Sequence, residues 1–193
     1  MLKKSWFGCS AAVVFGIAVL VMSILAVSDP VRIYPKETAQ VLLPAKVEYY
    51  LPYPGILPDN PAYRLKALRD KIKLMFIVDM ESKAKEELLL ADKRIGAAVA
   101  LVEGGKMNLG ASTATKAEKY LGQSVDRIVA LQRQGKDVKS MLLTLQKAIA
   151  KHVEVMDRLI GMADGTEKQV LEVTLKDTKQ MGERVNQAWV ESK

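Results

Sequence analysis

Residues 83–105 read KAKEELLLADKRIGAAVALVEGG, and this stretch decides the fold class. Apolar or small residues recur in it at alternating spacings of four and three. They are Ala84, Leu88, Ala91, Ile95, Ala98 and Val102. This spacing places one apolar stripe along an α-helix, and Gly104 and Gly105 end the helix. The stretch therefore predicts a long helix that packs against other helices, in a bundle or with a coiled-coil partner.

The same spacing predicts a helix on either side of this one. Asn60 and Pro61 start a first helix that should run to Val78, because Asn caps a first turn and proline fits its geometry. Its apolar residues predict one buried face: Leu65, Leu68, Ile72 and Met75. Asp79 should cap the second helix. The third helix is weakly indicated before Ala117, because residues 108–115 are rich in Gly, Ser and Thr.

Two further helices follow Gly135 and Gly165. Their stripes are Val138, Leu142, Leu145, Ile149, Val153, Met156 and Ile160 in the first, and Leu171, Leu175, Thr178, Gly182, Val185 and Trp189 in the second. Asp137 should cap the first of these, and Thr166 with Gln169 should form a capping box for the second. Residues 61–193 are thus predicted to form an all-α, antiparallel up-and-down bundle of about five helices, since short connections make neighbouring helices antiparallel.

Proline marks the boundary of this bundle. All seven prolines lie between residues 30 and 61, and proline is incompatible with a helix interior. Residues 30–60 are therefore predicted to be an extracytoplasmic linker with extended pieces. Within it, residues 53–56 read YPGI, which predicts a type II turn with Gly55 at the third position.

The N-terminal segment, residues 1–29, predicts a location. Lys3 and Lys4 precede an uncharged run at residues 6–27, which as a helix is about 33 Å long and matches a bilayer core. The lysines should keep the N-terminus in the cytoplasm and place the rest of the chain outside it. An uncleaved single-pass anchor is favoured over the alternative, a signal peptide removed near Ser28 and a secreted domain.

Composition excludes several classes of function. The chain has one Cys and one His, too few for a zinc ribbon, a haem site or an intrachain disulfide. His152 and Met156 lie four residues apart, a spacing that could bind Cu(I), but core packing explains them better. The acidic residues Glu86, Glu87 and Asp92 are expected on solvated helix faces. We therefore expect no catalytic residue, no cofactor and no metal.

Two features could bind a partner. The first is a concentration of tyrosines among the prolines, since rigid Pro–Tyr segments lose little entropy on binding. The second is the basic character of the first helix, which suits anionic lipid or wall polymer, whereas nucleic acid is out of reach outside the cytoplasm. The candidate partner-binding residues are Tyr49, Tyr50, Tyr53, Tyr63, Lys66, Arg69 and Lys73. A solvated basic face and a strap that merely packs over one end of the bundle remain alternatives.

Residues 51–61, LPYPGILPDNP, followed by Tyr63 and by LKALRDKI at residues 65–72, resemble the start of an uncharacterised family of exported bacterial helical domains. Residues 83–95, 118–121, 135–138 and the helix around His152 are also similar to that family. The resemblance implies a signal or anchor followed by a helical domain outside the cytoplasm. It implies no established activity and carries over no catalytic residue.

Taken together, these features favour a non-enzymatic, membrane-anchored helical domain outside the cytoplasm. It would act through protein–protein interaction with a protein partner or by self-association, as an envelope scaffold or as a sensor or regulatory component. The alternative is a binding module for wall polymer, lipid or a small hydrophobic ligand.

Overall fold

The structure, a computed structural model, describes residues 48–192, and this part of the chain is all-α. Its five helices are α1 (Tyr63–Phe76), α2 (Met80–Glu103), α3 (Met107–Arg133), α4 (Lys139–Met162) and α5 (Gly165–Glu191). The predicted anchor at residues 6–27 and the linker up to residue 47 lie outside the described residues. Within residues 48–192, no helix is both long and apolar enough to cross a bilayer.

The helix boundaries follow local chemistry. Asp79 caps α2 as predicted, since its carboxylate accepts a hydrogen bond from the Ser82 backbone N–H over 2.7 Å. Gly105 and Gly135 follow α2 and α3 with φ of 76°, a left-handed conformation that favours glycine. The capping box predicted at Thr166 and Gln169 is wrong, because α5 already begins at Gly165 and its N-cap residue, Asp164, makes no side-chain hydrogen bond.

The predicted stripes of α2, α4 and α5 contribute a large share of the core. All six stripe residues of α2 are buried, and Leu142, Leu145, Met156 and Leu171 are fully enclosed. The buried residues fall into two clusters along the bundle, one around Leu121 and Leu145 and the other around Ile95 and Met156. The bundle prediction is therefore confirmed for α2 to α5.

Contacts between side chains define how the helices run. Residue numbers of contacting pairs rise together between α3 and α5, as in Asn108–Glu167 and Asp126–Arg184, so these two helices are parallel. Between α2 and α3, residue numbers rise in one helix as they fall in the other, as in the pairs Glu87–Arg127 and Val102–Gly110. These two helices are therefore antiparallel. The bundle is therefore two antiparallel hairpins, α2–α3 and α4–α5, placed side by side with α3 beside α5 and α2 beside α4.

The start of α3 is helical despite its poor helix formers. A Cβ built on Gly110 would overlap Val102 Cγ2 and lie 3.2 Å from the Ala98 carbonyl oxygen, so glycine lets α2 and α3 approach closely. Thr113 and Thr115 donate their hydroxyl hydrogens to carbonyls one turn back in the same helix. Close packing on α2 thus offsets the low helix propensity of residues 108–115.

We expect Gly110→Ala and Gly122→Ala to change stability in opposite directions. At both positions alanine favours the helix over glycine by up to about 1 kcal/mol. At Gly110 the new methyl meets the Val102 side chain and the α2 backbone, a misfit that costs about 1–3 kcal/mol. At Gly122 its nearest neighbour, 3.1 Å away, is the flexible end of Met181. Urea unfolding of both variants checks this, and equal stabilisation by both would contradict the close-approach interpretation.

The predicted buried face of α1 is wrong. Leu65 and Met75 are 72% and 70% exposed, Leu68 is 55% exposed, and Ile72 is also exposed. The side that faces the bundle carries Asp70 and Leu74 instead, and α1 packs mainly on α2. The spacing of the apolar residues correctly predicted a helix, which ends at Phe76 rather than Val78, but it assigned the wrong face to the core.

The segment before α1, residues 48–62, is called the strap below. It follows α2 along its length: Tyr49 bonds Asp92, Pro52 and Pro54 lie beside Gly96, and Asp59 pairs with Lys106 over 2.6 Å. The chain then reverses, and α1 runs back along α2 until Lys73 meets Glu86. The strap therefore lies along the side of the bundle rather than over one end.

Candidate functional site

The strap is fixed to α2 at its beginning and to α1 near its middle. The Tyr49 hydroxyl donates to Asp92 Oδ2 over 2.7 Å. Further along, the Lys66 ammonium of α1 donates to the Pro54 carbonyl over 2.6 Å and to the Ile56 carbonyl over 3.3 Å. Gly55 has a left-handed φ of 71°, which favours glycine. The type II turn predicted at residues 53–56 is nevertheless wrong, because the hydrogen-bonded turn lies at residues 57–60, where the Asn60 N–H donates to the Leu57 carbonyl over 3.0 Å. The bonds from Tyr49 and Lys66 hold the backbone between Tyr49 and Ile56 against the helices.

Two of the predicted partner-binding tyrosines project from this fixed backbone. Tyr50 is 86% and Tyr53 is 83% exposed. Tyr49 and Tyr63 are half-buried instead, with Tyr49 engaged by Asp92 and the Tyr63 ring 5.6 Å below the Lys66 ammonium. The structure thus separates the four tyrosines into Tyr50 and Tyr53, which are exposed, and Tyr49 and Tyr63, which are engaged by Asp92 and Lys66.

The predicted basic residues of α1 all have partners inside the chain. Lys66 holds the strap, and burial lowers its pKa. Arg69 pairs with Asp70 over 2.9 Å, and Lys73 pairs with Glu86 over 2.8 Å. The side chains of Arg69 and Lys73 nevertheless stay 39% and 55% exposed, so their charge is still felt at the surface.

The centre of the bundle holds a chain of polar side chains that the sequence did not reveal. His152 of α4 is fully buried, with Nδ1 2.7 Å from Glu118 Oε1 of α3 and Nε2 3.0 Å from Asp92 Oδ1 of α2. The Thr178 hydroxyl of α5 donates to Glu118 Oε2 over 2.9 Å. With Tyr49 on Asp92, these contacts join the strap and all four helices of the bundle.

His152 is an imidazolium at neutral pH. Burial alone lowers its pKa, but the charge of Glu118, the hydrogen bonds to Asp92 and Glu118, and the charge of Asp92 outweigh burial and raise the pKa to about 9. Both ring nitrogens then donate to carboxylates and neither offers a lone pair. Within residues 48–192, no group of three or more His, Cys, Asp or Glu side chains could hold a metal ion. The geometry suits a structural role, and Asp92, Glu118 and His152 together are called the clamp below.

A second ion pair with a buried carboxylate lies nearer the N-terminus of α2 and the C-terminus of α3. Glu87 is buried, and Arg127 Nε donates to its Oε2 over 2.8 Å. The Ser124 hydroxyl donates to the Ala84 carbonyl close by. The prediction that the acidic residues of α2 lie on a solvated face is therefore wrong for Glu87 and for Asp92. A signal existed for Glu118, because it lies three residues before Leu121 and thus on the apolar stripe of α3.

Removing the Tyr49 hydroxyl should loosen the strap. In Tyr49→Phe, Asp92 loses a charge-assisted hydrogen bond, which stabilises by about 1.5–3 kcal/mol. We expect faster amide hydrogen exchange at residues 50–56 in this variant, measured by mass spectrometry. Tyr50→Phe is the matched control. Because the Tyr50 side chain is exposed, removal of its hydroxyl should leave hydrogen exchange in the strap unchanged. Equal exchange in the two variants would show that the Tyr49–Asp92 bond does not fasten the strap.

One open depression lies at an end of the bundle. Its volume is about 640 Å³, and it is lined by the loop before α3, the first residues of α3 and the α4–α5 connection. Asn108 donates to Glu167 over 3.0 Å across this end, and that bond lowers the pKa of Glu167. The depression brings together none of the predicted partner-binding residues.

Comparison with known proteins identifies the domain. Residues 55–188, which cover α1 to α4 and most of α5, match a family described as a domain of unknown function, DUF5667. The chain belongs to the DUF5667 family. The resemblance to an uncharacterised helical domain family is thereby confirmed, and the DUF5667 match begins at Gly55 of the strap. No curated protein and no solved structure matches the chain.

Proposed function

We propose that this DUF5667 chain is a non-enzymatic domain that acts through protein–protein interaction outside the cytoplasm, as an envelope scaffold or as a sensor or regulatory component. Residues 6–27 would anchor it in the membrane with the N-terminus in the cytoplasm, as their length and flanking lysines predict. Cleavage near Ser28 would instead release the same domain.

The observation that carries this proposal is the strap. Tyr50 and Tyr53 are almost fully exposed on a backbone that Tyr49 fastens to α2 and Lys66 fastens to α1. Tyrosine is enriched in protein interfaces, and a backbone already held in place loses little entropy on binding. A partner could therefore bind these side chains without first ordering them.

The buried polar groups support a role without catalysis. Both nitrogens of His152 are engaged by carboxylates, and the Glu87 carboxylate is engaged by Arg127. Each of these groups lies in the bundle interior and binds another helix, where a substrate has no access to it. Their arrangement supports helix packing.

Photo-crosslinking in the native cell tests the proposal. A photoreactive residue at position 53 should crosslink to the same protein in repeated experiments, identified by mass spectrometry. The matched control is a probe at Lys179, an exposed position on α5. Tyr50→Ala in the position-53 background should weaken the crosslink severalfold. Equal products from positions 53 and 179, or none from position 53, would reject the strap as a protein-binding surface.

The alternative function, binding of wall polymer, lipid or a small hydrophobic ligand, draws support from a different surface. That surface is the outward side of α1, where apolar side chains are exposed.

A further inference from the structure

The exposed apolar side chains of the domain are concentrated at its N-terminal end. Fourteen large apolar side chains are exposed within residues 48–192, and nine of them lie in residues 50–78. Five of the nine belong to α1, which is only 14 residues long. Contiguous apolar surface of this kind marks an interaction site more often than scattered single residues do.

The five apolar residues of α1 share one face. At 100° per residue, they occupy an arc of about 100° on the side of α1 opposite Asp70 and Leu74, which face the bundle. They are Leu65, Leu68, Ile72, Met75 and Phe76, and they are called the α1 stripe below. The stripe is thus directed away from the bundle along the whole helix, about 21 Å.

Basic residues border the stripe on both edges. Arg64 and Lys71 lie along one edge, and Arg69 and Lys73 lie along the other. Arg64 and Lys71 are exposed and form no ion pair within residues 48–192. Asp70, the single acidic residue of α1, lies on the inner side and is buried. The outward surface of α1 is therefore apolar in the middle, with cations unpaired in the described part of the chain at the Arg64 and Lys71 rim and partly exposed, ion-paired cations at the Arg69 and Lys73 rim.

We propose that α1 lies flat on an anionic lipid surface, with the α1 stripe inserted among the acyl chains and the basic rims on the headgroups. An apolar arc bordered by Lys and Arg is the pattern of helices that bind in the plane of a membrane interface. Each rim cation gains from the negative surface potential of anionic lipid. This inference rests on α1 and is independent of the protein contact proposed for the strap.

Two considerations favour lipid over other occupants. A second copy of α1 would bring two positive rims together, and like charges oppose such a pair. The chain between the predicted anchor and the strap, residues 28–47, has 20 residues and reaches at most about 70 Å. If residues 6–27 span the bilayer, α1 stays within reach of the lipid surface, where its local concentration is high.

A fluorescent label on the stripe tests the inference in the full chain. Cys9 is the only cysteine, so a Cys9→Ser background carries Leu68→Cys with an environment-sensitive dye. The matched control carries Lys179→Cys on α5. Each protein is measured in detergent, in phosphatidylcholine proteoliposomes, and in proteoliposomes that also contain phosphatidylglycerol. Nitroxide-labelled acyl chains quench a dye that enters the membrane.

We expect a blue shift and strong quenching at position 68 in the phosphatidylglycerol vesicles, weaker quenching in phosphatidylcholine, and little at position 179. High salt should reduce the phosphatidylglycerol effect. Arg64→Glu with Lys71→Glu should lower the ratio of docked to undocked α1 by about tenfold or more. Lys176→Glu with Lys179→Glu, in the Leu68→Cys background, changes the net charge equally on α5 and should leave quenching at position 68 unchanged.

Three results would overturn the inference. Equal quenching at positions 68 and 179 would show that α1 makes no specific contact with lipid. A dye that is shielded both in detergent and in vesicles, and is not quenched by nitroxide-labelled acyl chains in either kind of vesicle, would show that another part of the chain or a second copy covers the stripe. A blue shift that needs an added protein and occurs without nitroxide quenching would assign the stripe to a protein. The crosslinks from position 53 are read separately, so failure here leaves the proposed protein interaction to its own test.

Discussion

Replacement of His152 by Leu should remove a large part of the stability of this domain. Leucine fills the space of the imidazole but leaves Asp92 and Glu118 buried without their shared cation. Breaking a buried charge pair in this way costs about 3–5 kcal/mol, against about 5–15 kcal/mol for the whole stability of a typical domain. Urea unfolding of residues 44–193, followed by the helical circular dichroism signal, should show a much lower midpoint.

Met156→Leu is the matched control for this variant. Met156 lies one turn further along α4 and is equally buried, but its neighbours are apolar. A volume-conserving apolar exchange costs less than about 1.5 kcal/mol. If His152→Leu is destabilising because of charge rather than shape, the control should unfold close to the unaltered protein.

A triple variant further separates the effect of the buried charges from the effect of side-chain packing. Asp92→Leu, His152→Leu and Glu118→Met together remove every charge of the clamp, and well-packed apolar replacements of buried ion groups are often neutral or stabilising. We expect this protein to recover most of the stability that His152→Leu loses. A triple variant as unstable as the single one would mean that packing around His152, and not its charge, holds the helices together.

Much of the bundle could be predicted from the sequence because its signal is periodic. The stripe of α2 runs from Ala84 to Val102 without interruption, and every member is buried. Leu121, Val125 and Ile128 of α3 are likewise fully buried. Spacing predicts which residues share a face, and in a helix surrounded by other helices that face becomes the core.

Spacing alone assigns the wrong face of α1 to the core, and the reason is physical. Spacing shows that Leu65, Leu68, Ile72 and Met75 share a face, but it does not show what covers that face. In α1 the bundle takes the opposite side, through Leu74, Tyr63 and Asp70. An interfacial helix and a core helix have the same apolar period, so α1 could not be distinguished from its neighbours by pattern alone.

The central clamp could not be predicted because it depends on pairing across helices. Asp92, Glu118 and His152 are separated by 26 and 34 residues, and only the bundle brings them together. Acidic residues in Lys-rich helices usually lie in solvent, so each alone indicates a surface position. The fixed position of the strap also depends on this pairing, because Tyr49 binds the same Asp92 that His152 binds.

The stability of the domain should fall as the pH rises above neutrality. His152 has its pKa raised from 6.5 to about 9 by folding, so between these values the folded protein holds one proton more than the unfolded chain. The stabilisation from this proton is complete below pH 6.5 and is lost as the pH rises through 9. The free energy of unfolding should therefore decrease by roughly 3 kcal/mol over this range.

Two carboxylates contact His152 directly, and two hydroxyl groups bind those carboxylates from the other elements packed around the ring. Asp92 of α2 and Glu118 of α3 face the ring, Thr178 of α5 donates to Glu118, and the strap contributes Tyr49. Burial, followed by the charge of Asp92, raises the pKa of Tyr49, so its hydroxyl keeps its proton. When the ring loses its proton, one ring nitrogen no longer donates and faces a carboxylate as a second acceptor, which is repulsive.

Urea unfolding at intervals between pH 6 and pH 9.5 measures this dependence, and the triple variant without the clamp supplies the baseline from all other groups. Subtracting that baseline should leave a slope of about 1.4 kcal/mol per pH unit between the two pKa values of His152. Nuclear magnetic resonance of the ring gives the folded pKa directly. A ring that titrates near 6.5, or a baseline-subtracted free energy of unfolding that is flat across the range, would mean that Asp92 and Glu118 do not hold His152 as a cation.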